Sequence, residues 1–379
     1  MRTLEFYAGV GGLHYSLLRA REDAEVVAAF DINPVSNRVY EHNHKLKPVS
    51  KSISELSPRV LDSYEADAWL LSPPCQPYTR QGHQLGSADP RAESFILLLD
   101  KLDEVEKPPK YLLIENVVGF EESATRDHLI CTLRRNKYTT QEYLVSPLDL
   151  GLPYSRARYF CLAKLAPLKF ADPSQDFQIK SGPPRGTHGD AAGPQTRRPL
   201  KDFLSADLSF EAFDRRQPGD LWEEYLVKAS VREKYLDCVD LVSPLSRQCC
   251  CFTKSYYKFL KGTGSIIAVN ALPIENAEEK DFVQEDGRVR IRFYTGRRKG
   301  RQNLDKTDDE ILDSLVLRYF TPREVANLHS FPSDFDFPPD VTKKQRYALL
   351  GNSLSVAVVT DLLSYLFEEI EAPQIANHV

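Results

Sequence analysis

Residues 3–12 read TLEFYAGVGG, a short apolar run that leads directly into a turn with three glycines. Thr3–Tyr7 is a strand candidate, and Leu13–Arg19 has the composition of a helix start. Glycines in such a turn tolerate positive φ and let the backbone approach a ligand closely. The segment therefore predicts a strand–turn–helix unit, the place where open α/β sheets bind ligands.

Strand and helix signals continue to alternate as far as about residue 170. Further strand candidates are Glu25–Phe30, Ala68–Leu71, Tyr111–Ile114 and Tyr159–Ala163. Between them, one helical face is marked at spacing i, i+3, i+4, i+7 by Phe95, Leu98, Leu99 and Leu102. This alternation predicts an α/β domain with a largely parallel sheet.

The pattern changes beyond this first domain. Residues 181–200 contain four Gly and four Pro, which predicts a linker or mobile loop. We expect a large domain at 1–184, a small inserted domain at 185–315 and a C-terminal return to the large domain at 316–379. Thr321, Pro322 and Glu324 form a helix-start signature, and Val356–Leu366 is expected to be a final amphipathic helix.

Composition excludes several classes of protein. With 42% apolar and 10% aromatic residues, the chain can supply a core and is not disordered. Apolar runs end after five residues, so no membrane span is expected, and Glu5 interrupts any signal peptide. The net charge is −5, so any basic surface that binds nucleic acid must be confined to a part of the protein. Seven cysteines without a CxxC pair predict reduced thiols and no metal site.

The glycine turn has an acidic partner further along the chain. Asp31 lies 19 residues after Gly12 at the end of the next strand candidate, where a carboxylate can bind ribose hydroxyls. His14 stands where a dinucleotide fingerprint needs a third glycine, which disfavours a pyrophosphate. The pattern indicates a bound nucleoside, with an ordinary tight turn as the alternative.

A single thiol follows another strand candidate. In the stretch 72–77, SPPCQP, prolines stiffen the chain around Cys75 just past a strand end. Cys75 is a candidate nucleophile, which needs an acid or base nearby. The alternative is a structural cysteine.

Charged residues flank two further strand candidates. Glu115 ends one, and its carboxylate could reach the same edge of the sheet; the alternative is a carboxylate paired with an arginine. Arg156 and Arg158 enter the next, and alternate side chains there point the same way. They could both face the cleft or lie on a solvated edge.

These motifs together carry a resemblance. In chain order they are FYAGVGG (6–12), PPCQP (73–77), ENV (115–117), SRARYF (155–160) and GNSLS (351–355). The chain thereby resembles the DNA cytosine-5 methyltransferase family. It is most similar to the branch that methylates tRNA, of which the string CFTKSY (251–256) is typical.

The resemblance implies a Rossmann-like S-adenosylmethionine-dependent methyltransferase domain with an inserted target-recognition domain. It makes Cys75 the covalent nucleophile at carbon 6 of cytosine and Glu115 the group at ring nitrogen 3. Arg156 and Arg158 would orient the base and Glu115 and offset the charge of Glu115. S-adenosyl-L-homocysteine would be the product. An Asp found near position 52 in many members is missing, so backbone groups and Ile53 would hold adenine. The implied cofactor residues are Phe6, Gly9, Val10, Gly11, Gly12, Asp31, Ile32, Ser52, Ile53, Ser72, Asn352 and Ser353.

The implied substrate is tRNA, in the anticodon loop of aspartate tRNA. The alternatives are a DNA cytosine-5 methyltransferase and a nucleic-acid-binding member with weak catalysis. Residues 288–306 hold eight basic side chains and one acidic one, which predicts phosphate contact or a solvated loop. The candidate RNA-binding residues are Arg288, Arg290, Arg292, Arg297, Arg298, Lys299 and Arg301. We expect a monomer in the cytoplasm, with the nucleus as a second compartment and no membrane partner.

Overall fold

A computed structural model describes residues 1–74, 90–184, 196–217, 219–235, 239–273, 282–285, 288–291 and 313–368. Cys75 lies outside these ranges, as do most of the predicted linker and five of the candidate RNA-binding residues: Arg292, Arg297, Arg298, Lys299 and Arg301. The chain divides into two compact units. Unit 1 comprises 1–146, 157–190 and 356–379, and unit 2 comprises 147–156 and 191–355.

Unit 1 is built on a seven-stranded sheet with the order β2-β1-β3-β4-β6-β5-β7. Its strands are β1 (Arg2–Phe6), β2 (Glu25–Phe30), β3 (Ala68–Leu71), β4 (Tyr111–Val117), β5 (Tyr138–Val145), β6 (Arg158–Leu165) and β7 (Ile179–Ser181). The expectation of a largely parallel sheet needs one correction, because β6 pairs antiparallel with both β4 and β5. No α-helix lies between β5 and β6, and a parallel pairing usually needs such a crossover.

Helices pack against this sheet. They are α1 (Gly12–Ala20), α2 (Pro34–His44), α3 (Pro58–Ser63), α4 (Pro90–Leu102), α5 (Ala124–Arg135) and, from the end of the chain, α11 (Val356–Phe367). The predicted apolar face of α4 is confirmed, since all four of its residues are at most 2% exposed. They join a core that contains Leu4, Phe6, Leu71 and Ile114.

The last helix buries most of its surface, and its three residues that are not buried, Ala357, Thr360 and Ser364, share one face. Nine of the twelve residues of α11 are buried, and Ser16 Oγ of α1 donates a hydrogen bond to the Val356 carbonyl at 3.2 Å. By length and composition the stretch Lys343–Phe367 could cross a membrane, but 67% of its most apolar window is buried in the protein. That burial is typical of a core helix.

Unit 2 contains two three-stranded sheets. One has the order β13-β9-β8 and the other β10-β12-β11. The strands are β8 (Asp240–Val242), β9 (Ser265–Ala268), β10 (Ala271–Pro273), β11 (Phe282–Glu285), β12 (Arg288–Ile291) and β13 (Leu317–Arg318). The helices are α6 (Phe210–Asp214), α7 (Leu221–Tyr225), α8 (Ala229–Tyr235), α9 (Pro322–Leu328) and α10 (Lys343–Asn352).

Residues 316–355 belong to unit 2, whereas the sequence places the return to the large domain at 316. The physical reason lies in β13, which pairs with β9. In addition, the fully buried guanidinium of Arg318 binds both carboxylate oxygens of Glu324 at 2.8 Å. Thr321 and Glu324 form the predicted capping box of α9. The return to unit 1 begins at Val356.

Candidate active site

The register of the sheet aligns the ends of β1, β2 and β3 with Ile114, which lies three residues before the end of β4. Phe6 is paired with Phe30 and with Leu71, and Leu71 is paired with Ile114. The next residue of each strand therefore emerges at the same edge of the sheet. These next residues are Tyr7, Asp31, Ser72 and Glu115.

Glu115 lies at this edge with both carboxylate oxygens in contact. The residue is 7% exposed, and Ser72 Oγ donates a hydrogen bond to Oε2 at 2.6 Å. Arg158 Nε lies 3.5 Å from Oε1. A hydroxyl and a guanidinium thus fix one buried carboxyl group, which suits it to exchange a proton or a hydrogen bond with a bound ring.

The segment that leads to Cys75 is fixed by two hydrogen bonds that its backbone makes. Ser72 N donates to the Phe6 carbonyl at 3.3 Å. The amide of Asn116, which is 1% exposed, donates to the Pro73 carbonyl at 3.4 Å. The first described range stops at Pro74, one residue before Cys75. The role of Cys75 as the nucleophile therefore stays a prediction. The sequence predicts that Ser72 contacts the cofactor, and its bond to Glu115 is a feature that only the structure reveals.

The turn after β1 is tied to Asp31. Gly9 N donates to Asp31 Oδ2 and Asn33 N donates to Oδ1, each at 2.8 Å. Asp31 is half-buried, and the neighbouring Ile32 side chain is 72% exposed. An exposed apolar side chain beside a carboxylate fits an adenosine, with the base against Ile32 and the ribose hydroxyls at the carboxylate.

Several other predicted cofactor residues are buried. Phe6 is completely buried and stacks on Phe30 with ring centroids 5.0 Å apart. Val10 and Ile53 are 3% and 6% exposed, and Ile53 joins the core. Ser52 N-caps the short turn Ile53–Glu55. These residues shape the turns around a ligand, and direct contact stays a prediction for each of them.

A buried polar cluster beneath the turn was not found from sequence. Tyr40 Oη donates to Glu5 Oε2 at 2.6 Å and contacts His14 Nδ1 at 2.7 Å. His14 stacks on His44 with centroids 4.0 Å apart. A Cβ on Gly11, which has φ +83°, would lie 2.0 Å from His44 Nε2. The imidazole of His44 therefore fills the space that the glycine leaves.

Burial shifts the ionisation of this cluster. Desolvation raises the pKa of Glu5 to about 8. It lowers the pKa of His14 to about 4 and the pKa of His44 to about 3, and the neighbouring His14 adds to the second shift. Both imidazoles are thus neutral at pH 7. The residues of this cluster lie on β1, α1 and α2 and form no sequence motif. Their contact in the fold therefore could not be predicted from the sequence.

Arg156 has different contacts from Arg158. It is 3% exposed, and within unit 2 its guanidinium donates to Cys251 Sγ at 3.1 Å, to the Phe252 carbonyl at 3.3 Å and to the Gly351 carbonyl at 3.0 Å. A further bond goes to the Ser353 carbonyl. Arg156 thus joins the CFTKSY and GNSLS segments, and its predicted role at the base stays a prediction.

Gly351 brings those same two segments together. A Cβ at this position would lie 2.2 Å from Lys254 N and 2.3 Å from the Thr253 carbonyl carbon. Asn352 ends α10 and Ser353 is its C-cap. The predicted contact of Asn352 and Ser353 with the cofactor stays a prediction.

The neighbouring cysteines in unit 2 are unsuited to act as thiolates. Cys249 is fully buried and donates to the Pro153 carbonyl, and desolvation raises its pKa well above the ordinary range. Desolvation likewise raises the pKa of Cys250 to about 12. In the part of the chain that the structure describes, no group of His, Cys, Asp and Glu could hold a metal ion. Of the candidate RNA-binding residues, Arg288 and Arg290 lie on β12.

Comparison with known proteins identifies the class. A family model described as C-5 cytosine-specific DNA methylase matches residues 1–368, and the chain belongs to this family. Family membership confirms the predicted methyltransferase fold and S-adenosyl-L-methionine as the cofactor.

The relatives place the chain within that family. It is 38% identical to the tRNA (cytosine(38)-C(5))-methyltransferase of Mus musculus, over 97% of this chain and 94% of that protein. It is 36% identical, over the same shares, to a DNA (cytosine-5)-methyltransferase of Dictyostelium discoideum. The crystal structure of S. pombe Dnmt2 methyltransferase has a TM-score of 0.74 at 33% identity, covering 97% of this chain and 98% of that one. The predicted likeness to the tRNA-methylating branch is confirmed.

Proposed function

We propose that the protein methylates carbon 5 of cytosine 38 in tRNA, within the anticodon loop of aspartate tRNA. The observation that carries the proposal is the placement of Glu115. Ser72 and Arg158 hold its carboxyl at the sheet edge, beside the segment that leads into Cys75. A loop base is easily turned out of its stack, so it can enter such a site at low cost.

The chemistry divides between Cys75 and Glu115. Cys75 as thiolate forms a bond to carbon 6 of cytosine while Glu115 holds a proton at ring nitrogen 3, which accepts the electron pair. Carbon 5 then becomes nucleophilic. After methylation a base takes the carbon 5 proton, and the Cys75–carbon 6 bond breaks to return the thiolate. Water would be that base.

S-adenosyl-L-methionine, when bound, supplies the electrophilic methyl group. Asp31 and Ile32 would hold its ribose and adenine, and the glycine turn would face the rest of the cofactor. Arg158 keeps Glu115 in place and offsets its charge.

The test is methyl transfer from labelled S-adenosyl-L-methionine to two substrates at matched salt. We expect faster methylation of tRNA transcripts than of duplex DNA, with the label at cytosine 38 by bisulfite sequencing. Replacement of that cytosine by uridine should remove the label. Faster methylation of duplex DNA would favour the second candidate, to which the Dictyostelium discoideum relative points by its name.

We also propose a reducing compartment, the cytoplasm with the nucleus as the alternative, and a monomeric enzyme. All five cysteines in the described part of the chain are free thiols, which supports such a compartment. Imaging of the tagged chain and analytical ultracentrifugation would test the two proposals. A secreted chain or a stable dimer would contradict them.

A further inference from the structure

A closed loop begins within the CFTKSY segment of unit 2 and ends at Thr263. Its two ends meet where Thr253 N donates to the Thr263 carbonyl at 2.8 Å. Inside it, Phe259 N donates to the Ser255 carbonyl at 3.0 Å. The Tyr256 hydroxyl donates to the Ser265 carbonyl of β9 at 2.8 Å. The 253–263 loop is therefore fixed to its sheet and presents a defined surface.

The outer part of this loop is aromatic and basic. The Phe259 ring is 56% exposed, and Lys258 Nζ lies 4.9 Å from its centroid. Lys258 and Lys261 are exposed. Residues 253–263 contain three lysines and no acidic residue, in a chain of net charge −5.

The backbone of the loop is strained at Tyr257. This residue has φ +69°, a conformation that costs free energy for a residue with a side chain. Its ring stacks on Tyr347 with centroids 5.4 Å apart, and Lys343 Nζ lies 3.1 Å from its hydroxyl. These contacts hold the strained residue, and strain retained in this way is typical of functional loops.

We propose that Phe259, Lys258 and Lys261 form a platform that stacks an unpaired RNA base and binds the adjacent phosphates. A ring face and a cation are the two groups that bind single-stranded nucleic acid without reading its sequence. Duplex DNA keeps its bases stacked and would gain only the charge contacts. The proposal rests on the proposed function, because the platform would be a second binding site for the tRNA that carries the target cytosine.

The test measures binding of labelled tRNA and of labelled oligouridine by fluorescence anisotropy. Phe259→Ala should weaken both complexes about 5- to 150-fold, the loss of one base–aromatic stack, and Phe259→Tyr should restore binding. Phe177→Ala is the matched control, since that ring is 44% exposed and also has a cation over it, Arg134 at 4.7 Å. It should bind RNA like the parent, and the affinity for S-adenosyl-L-methionine should stay unchanged in all variants.

Two failures can be told apart. If Phe259→Ala binds tRNA and oligouridine as tightly as the parent does, the platform is overturned. A parent that binds oligouridine through Phe259 but does not methylate tRNA would contradict the proposed function and support the platform.

Discussion

The Glu115 carboxyl owes its position to the last residues of β4 before Val117 and its orientation to two neighbours on other elements. Ser72 reaches one oxygen at 2.6 Å and Arg158 approaches the other at 3.5 Å. A mobile carboxylate would have to be ordered during the reaction, whereas this one is already aligned.

Glu115→Gln keeps the size of the side chain and removes its capacity to exchange a proton. Single-turnover methyl transfer to tRNA should fall about 10²- to 10⁴-fold, the usual contribution of such a group. The control is Glu122→Gln, since that carboxylate is exposed in the turn after β4. A Glu115→Gln rate within a few-fold of the parent would remove this residue from the mechanism.

A second carboxyl, that of Glu5, makes a prediction about stability. Its pKa is about 8 in the fold, against an ordinary value of 4.5, because burial and the nearby Asp31 disfavour the charge by more than the hydrogen bond from Tyr40 favours it. Between these two pH values the unfolded chain has lost the proton that the folded chain retains. The parent therefore loses stability from this group as the pH rises.

Glu5→Gln removes that loss. In urea unfolding at pH 5, 6, 7 and 8, its stability relative to the parent should rise with pH, by at most about 1.4 kcal/mol per unit. His14 and His44 act in the opposite direction, because their lowered pKa values cost stability as the pH falls below 6.5. The parent and Glu5→Gln both contain these two histidines, so their contribution cancels in the stability difference between the two proteins. Exposed Glu25→Gln is the control, and a constant difference for Glu5→Gln would contradict the assignment.

At the scale of elements, the sequence predicted the strands that carry the motifs. Glu25–Phe30 and Ala68–Leu71 have the predicted bounds, since apolar runs of strand-forming residues end there at Asp31 and Ser72. The antiparallel insertion of β6 could not be predicted, because pairing depends on contacts far apart in the chain. Arg156 illustrates the same limit: one residue separates it from Arg158 of unit 1, yet Arg156 and its contacts belong to unit 2.

The close approach of α10 to the 253–263 loop gives an element-scale prediction. Gly351→Ala in an ordinary helix would stabilise by about 1 kcal/mol. Here the added methyl group meets backbone atoms at 2.2 Å, so we expect destabilisation of about 1–3 kcal/mol in urea unfolding. Exposed Lys344→Ala on the same helix should change stability by less than about 0.5 kcal/mol. A more stable Gly351→Ala variant would contradict the packing.

At the scale of the whole molecule, charge argues for a local nucleic-acid footprint. The chain carries 49 basic and 54 acidic residues, so overall attraction to phosphate is weak. The two units could not be delimited from sequence, because residues 147–156 and 316–355 join unit 2 through long-range pairings such as Tyr154 with Cys249.

Neutralising the basic cluster tests that footprint. Exchange of Arg297, Arg298, Lys299 and Arg301 for Gln should weaken tRNA binding and lower the log–log salt slope by about 0.7–0.9 for each lost phosphate contact. The bound-state methylation rate and the affinity for S-adenosyl-L-methionine should stay the same. Exchange of the exposed Lys344 of α10 for Gln is the control. An unchanged slope would assign the cluster to a solvated loop.

The central claim is a covalent bond between Cys75 and carbon 6 of a tRNA cytosine. Its most direct measurement uses tRNA with 5-fluorocytosine at position 38, whose fluorine blocks release of the enzyme, and counts adducts that survive denaturing electrophoresis. The parent with S-adenosyl-L-methionine should form the adduct, and Cys75→Ala should form none while it still binds the cofactor. Undiminished adduct formation by Cys75→Ala would contradict the account.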